Sequence, residues 1–173
     1  MNICKRRKRF SMEIEETDSI SYDFIVQMIP HHRAAIEMSQ NILKYTTNLA
    51  LQAIAEGIVE EQTKSIEEMR KIQSLCAAKM NPKQDLALYR RRTGQIMQTM
   101  FMEMRNARTT NEINCDFMWE MVPHHLGAVR MSRNALQYSI CPELKPILEA
   151  IITSQERGIA EMQALQRTLN CGA

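Results

Sequence analysis

A chain of 173 residues with 45% hydrophobic side chains, five glycines, five prolines and few aromatics suits an all-helical protein of one compact domain, or two small halves packed intimately. Its net charge of +2 excludes a strong electrostatic preference for nucleic acid or anionic membrane. No apolar stretch approaches the ~20 residues needed to span a bilayer.

Residues 1–20 form a tail that opens with the basic run Lys5-Arg6-Arg7-Lys8-Arg9 and turns acidic at Glu13, Glu15 and Glu16. The basic run reads as a solvated chain end. It resembles the charged start of a signal peptide, but Phe10-Ser-Met-Glu-Ile-Glu-Glu16 is no apolar core for one. A cytoplasmic location is the expectation.

The segment 21–80 predicts a helical hairpin, with one helix over 22–45 and a second over 48–79, broken at Thr46-Thr47-Asn48. The first helix contains Met28-Ile-Pro-His-His-Arg-Ala-Ala-Ile-Glu-Met-Ser39. At about 100° per residue, Phe24, Met28, His31, Ala35, Met38 and Ile42 share a sector about 80° wide. His31 then points with the apolar stripe and His32 sits on its flank, one turn from Met28. Pro30 removes one backbone hydrogen bond and predicts a kink beside the histidines; the alternative is a helix boundary, with 22–29 a separate short segment. On the second helix Gln62 interrupts the stripe of Leu51, Ile54, Ile58, Ser65, Met69, Ile72 and Cys76. A buried amide needs a partner, and a histidine of the neighbouring helix is an available one.

Residues 81–113 form a connecting segment whose apolar stripe is Leu86, Tyr89, Ile96, Met97, Met100, Met104 and Ala107. Pro82 suits the first turn of a helix there. Residues 114–173 then repeat the hairpin, with helices near 114–139 and 143–170. Met121-Val-Pro-His-His-Leu-Gly-Ala-Val-Arg-Met-Ser132 copies the first motif 93 positions later, and the offset holds without a gap from Asp23 to Gln73. Gln62, Met69 and the four histidines all find their own type in the other copy as Gln155, Met162 and one another. Such a repeat is internal duplication. Two hairpins that face each other can bury what one cannot, so the expected fold is a four-helix bundle with a fifth, connecting helix.

Imidazole nitrogen and thioether sulfur concentrated twice make a soft metal site, copper as Cu(I) first, with Zn and Ni not excluded. The competing reading is a structural or partner-binding bundle whose His-His pairs are packed and hydrogen-bonded. Packing alone, however, would tolerate leucine at many of the methionine positions. Carboxylate di-iron chemistry needs a glutamate three residues before a histidine, and none stands there. No patterned nucleophile or glycine-rich phosphate loop exists, so no enzyme is expected. The five cysteines are scattered without a Cys-x-x-Cys pair and read as free thiols.

The pattern Asp-Phe…Met-x-Pro-His-His-x-x-Ala-x-x-Met, followed by Gln-x-x-x-Ile-x-x-Met, resembles the family called domain of unknown function 305. It covers 22–73 and 115–166, about three fifths of the chain. The resemblance implies a ferritin-like helical bundle, and some secreted relatives bind copper through methionine and histidine. It marks Met28, His31, His32, Met38 and Met69, with Met121, His124, His125, Met131 and Met162, as the metal positions. Gln62 and Gln155 would orient the histidines. The chain departs from the family where an acidic residue usually precedes Ile-x-x-Met: Ser65 and Gly158 stand there. The expected partner is a metal ion, with no nucleic acid and no membrane, and a homo-oligomer left open. Because free histidine titrates near pH ~6.5, affinity for Cu(I) should weaken from roughly pH 7 to 5.

Overall fold

Local capping sets where the helices begin. The Ser19 side chain accepts from the Tyr22 N–H and opens α1 (Ile20–Ile42), and Asn48 accepts from the Leu51 N–H and opens α2 (Leu49–Ala77); each satisfies an otherwise unpaired donor of a first turn. Pro82, which has no N–H to lose, immediately precedes α3 (Lys83–Arg105). Glu112 caps α4 (Ile113–Ala135), and α5 (Leu144–Thr168) follows a turn at Pro142 and Glu143. These elements come from a computed structural model that describes residues 17–172, which contain five helices and no strand. No helix among the described residues is long and apolar enough to cross a membrane.

Helix α1 continues through Pro30 and α4 through Pro123, so the alternative of a helix boundary at Pro30 does not hold. Pro30 cannot donate to the carbonyl one turn back. The first and fourth helices end three and four residues earlier than their apolar pattern suggests, at turns whose N–H groups bond back to Ser39 and Ser132 carbonyls.

Helices α1 and α2 pack as one hairpin, α4 and α5 as the other, and the hairpins meet through α1 against α4 and α2 against α5. Helix α3 lies on α4. The apolar interior is divided. One core gathers Phe24, Ile25 and Met28 with Met69, Ala128, Met131, Leu144 and Leu148. The other gathers Ala35, Ile42, Leu51 and Ile58 with Phe117, Met118, Met121 and Met162. The start of α1 thus shares a core with the end of α4, and the reverse, so the two motif helices run antiparallel.

The duplication extends to the hydrogen bonds that introduce each hairpin. Thr17 Oγ1 donates to Asp23 Oδ1 at 2.7 Å, and Thr110 Oγ1 donates to Asp116 Oδ1 at 2.7 Å, 93 residues on. The copies differ in environment. Asp23 is buried and also takes the Arg90 guanidinium of α3 at 3.1 Å, which fastens α3 to the start of α1; the Asp116 bonds are exposed.

The cysteine expectation requires correction. Cys115 and Cys171 form a disulfide, with Cα atoms 5.5 Å apart, that ties the C-terminal turn to the start of α4. Cys76 and Cys141 are free and buried. Pairing across 56 residues depends on tertiary proximity, which spacing alone does not reveal. Cys4 and the basic run Lys5–Arg9 lie outside the described residues.

Candidate metal centre

Where α1 crosses α4, between the two apolar cores, the bundle has a polar waist. All four histidines are buried there, with His31 at 9% exposure, His32 at 1%, His124 at 3% and His125 at 2%. The inward stripe of each motif helix brings His31 and His124 face to face, ring centroids 3.8 Å apart and planes 30° from parallel. His31 and His124 line one side of the waist and His32 and His125 the other. The flank position given to His32 by angle alone is therefore a second buried face: α2 packs on α1, and His32 Nε2 lies 3.2 Å from Ser65 Oγ.

On the His31 side a cavity of about 120 Å³ opens between α1, α3 and α4. Helix α1 contributes Gln27, Pro30, His31, Ala34 and Met38, and α4 contributes His124 and Met131. Helix α3 adds Met97, Met100, Phe101 and Met104. Five thioethers and two imidazoles thus converge on one space, with Met100 Sδ 3.3 Å from His31 Nε2.

Burial fixes the charge state. Loss of hydration disfavours the imidazolium form, and burial pushes His31 down to about 4 and His125 down to about 3. His32 and His124 lie well below the usual histidine value, from burial first and from the neighbouring imidazoles second. All four are neutral at physiological pH. Backbone hydrogen bonds at His124 and Met121 offset part of the lowering for His31 and His125, whereas Nδ1 of His32 and of His124 is buried without a hydrogen-bond partner, a costly condition for a polar atom in a dry interior.

The other side of the waist is a groove between α2 and α5. A cavity of about 260 Å³ there touches His32, Gln62, Ser65 and Gln155, and a smaller one of about 40 Å³ touches His125, Gln62, Gln155 and Gly158. Gln62 does not hydrogen-bond a histidine. Both of its amide atoms and Gln155 Oε1 lack partners, and it is Ser65, nearly one turn further along α2, that reaches His32. In the second copy Gly158 offers no side chain, and His125 Nε2 lies 3.3 Å from where a Cβ would be.

Of the remaining positions singled out from sequence, Met38 and Met131 line the methionine cavity. Met28 and Met69 lie in one apolar core, Met121 and Met162 in the other, all without exposed surface. The methionines of α3 were read only as a stripe of a connecting helix. Their signal was present in the spacing: Met97, Met100 and Met104 recur every three or four residues, where leucine would serve packing equally well.

The donor set is soft. Among the described residues no group of three or more His, Cys, Asp or Glu side chains is arranged to hold an ion. What converges instead is neutral imidazole with thioether, a combination that suits a soft monovalent cation.

Comparison with known proteins agrees with this architecture. The apo form of CopM superposes with a TM-score of 0.64 at 26% identity, over 86% of this chain and 96% of that one. CopM in the Cu(I)-bound form gives the same score at 24% identity, over 86% and 96%, and that protein has also been solved bound to Cu(II) and Ag. A DUF305 fragment from Deinococcus radiodurans superposes with a TM-score of 0.59 at 18% identity, over 84% of this chain and 94% of the fragment. No curated protein matches by sequence. The sequence profile of the domain of unknown function DUF305 matches residues 20–166, and the chain belongs to that family.

Proposed function

We propose that this protein binds Cu(I), without catalysing a reaction, in the cavity bounded by His31, His124 and the methionines of α1, α3 and α4. The observation that carries the reading is the convergence of two neutral imidazoles and five thioethers on one space of about 120 Å³. Copper supplies a soft centre for these donors, and the surrounding apolar wall limits water and oxidant at the ion. The metal-bound forms of CopM, a protein of the same fold, support the reading. Sequestration or delivery of copper is the corresponding role. The Cys115–Cys171 bond suits an oxidising compartment better than the cytoplasm expected from sequence.

The competing packed-bundle reading asks that the histidines be satisfied by hydrogen bonds. One side-chain hydrogen bond to a histidine ring, between His32 and Ser65, is formed, and the backbone at His124 and Met121 serves His31 and His125, while Nδ1 of His32 and of His124 and the Gln62 amide have no partner. That weighs toward a ligand-binding role.

The test is an anaerobic Cu(I) titration against a chromophoric chelator, with protein purified without an affinity tag. Replacing His31 and His124 together by phenylalanine should weaken binding far more than the same change at His32 and His125. Equal and negligible losses would overturn the reading in favour of packing.

A further inference from the structure

The two copies of the motif differ where it matters for sulfur. Ala34 of the first copy corresponds to Gly127 of the second, and Gly127 lies buried on α4 beneath α3. A Cβ at Gly127 would stand 2.4 Å from Met100 Sδ and 2.9 Å from Met100 Cγ. Real Cβ atoms do not approach so closely, so the Met100 thioether occupies the space that an alanine side chain would take. From that notch the sulfur reaches to 3.3 Å from His31 Nε2. Zinc–imidazole and zinc–thiolate bonds of about 2.0 and 2.3 Å set the scale on which one ion spans a nitrogen and a sulfur 3.3 Å apart. Met100 is 1% exposed, so its sulfur sits inside the fold.

Among the described residues nothing equivalent lies on the opposite side of the waist. There the imidazoles of His32 and His125 face the Ser65 hydroxyl and the bare backbone of Gly158, and no methionine lines either cavity. Helix α3 is single, lies on α4 and breaks the symmetry of the duplicated hairpins.

We infer that the chain holds one soft cation rather than two, that Met100 of the connecting helix is its sulfur donor beside His31 and His124, and that Gly127 is the positioning residue that seats this sulfur. The inference rests on the soft-metal reading above and deepens it. It also explains why duplication of the His-His motif need not double the capacity: the two inward histidines, one from each copy, share a single site.

The experiment combines an anaerobic Cu(I) competition titration with X-ray absorption at the copper edge on the wild type, Met100→Leu, Gly127→Ala and Gly94→Ala. The wild type should take up one tight equivalent with sulfur in the copper shell. Met100→Leu should lower affinity by roughly tenfold or more, a scale that even outer partners of metal ligands reach, and remove sulfur signal. Gly127→Ala should lose the same signal although Met100 is still present. Gly94→Ala, on the exposed face of α3 with open space around its Cβ position, should change neither readout. If Gly127→Ala does not fold, Met100→Leu and the double variant Gly127→Ala/Met100→Ala, which relieves the overlap without restoring sulfur, decide the matter. No Cu(I) uptake by the wild type would defeat the soft-metal reading itself. Uptake of two equal equivalents, or uptake of one that Met100→Leu leaves unchanged in affinity and spectrum, would overturn this inference alone.

Discussion

Four imidazoles share the middle of the bundle, and burial keeps them neutral far below the pH at which a free histidine takes up a proton. The sign of the resulting pH dependence follows from the lowered folded-state values, about 4 for His31 and about 3 for His125. Above pH ~6.5 neither folded nor unfolded protein binds these protons, and stability is fully present. As pH falls below that value the unfolded chain is protonated first, so stability drops by about 1.4 kcal/mol per pH unit for each such histidine. Thermal melts of the metal-free protein should therefore show a midpoint that is flat from pH 8 to about 6.5 and falls steadily toward pH ~4. A midpoint unchanged down to pH ~4 would mean that the imidazoles are hydrated or paired in solution. The same burial revises the proton competition expected from unperturbed histidine. Cu(I) affinity should hold from pH 7 to about 5, and decline only as protonation of the buried rings begins. A competition titration at three pH values in that range distinguishes this course from a decline centred near ~6.5.

At the scale of elements, the hairpins were legible because their information is local and written twice. The apolar stripe of α1, the Asn48 cap and the antiparallel return of α2 all lie within about sixty residues and recur 93 later. The inward histidine, His31, followed from helical period alone. The destination of His32 did not, since a helix packed on several sides has more than one buried face. The Gln62-to-histidine contact was misjudged for a related reason: periodicity places a residue on a face but cannot rank it against Ser65, nearly a turn further on. The role of α3 was hidden because that helix has no second copy, and its docking rests on long-range contacts: its packing on α4, the Asn134 amide donating to Tyr89 O and Thr93 Oγ1, and Arg90 meeting Asp23 across 67 residues. That meeting makes a prediction. Asp23→Ala removes a buried carboxylate on which Thr17 and Arg90 converge and should cost about 2–4 kcal/mol in urea unfolding. Asp116→Ala, at the counterpart whose hydrogen bonds are exposed, should cost about 1 kcal/mol or less. Equal costs would mean that α3 is held by apolar packing on α4 rather than by this ion pair.

For the whole molecule, two apolar cores supply the stability and leave the waist between them free for chemistry. The Cys115–Cys171 bond closes a long loop through α4 and α5 and should stabilise the fold by about 4 kcal/mol through restriction of the unfolded chain. Cys171→Ser should lower the melting temperature by several degrees while leaving Cu(I) stoichiometry intact, because neither cysteine touches the methionine cavity. Melting curves in parallel with copper titration check both halves of that statement. The central claim is the location of the metal, and an anomalous difference map from crystals loaded anaerobically with Cu(I) tests it most directly. One strong peak is predicted in the cavity between α1, α3 and α4, in contact with His31, His124 and Met100. A principal peak in the α2–α5 groove beside His32 and His125, or one among the core methionines Met28 and Met69, would contradict it.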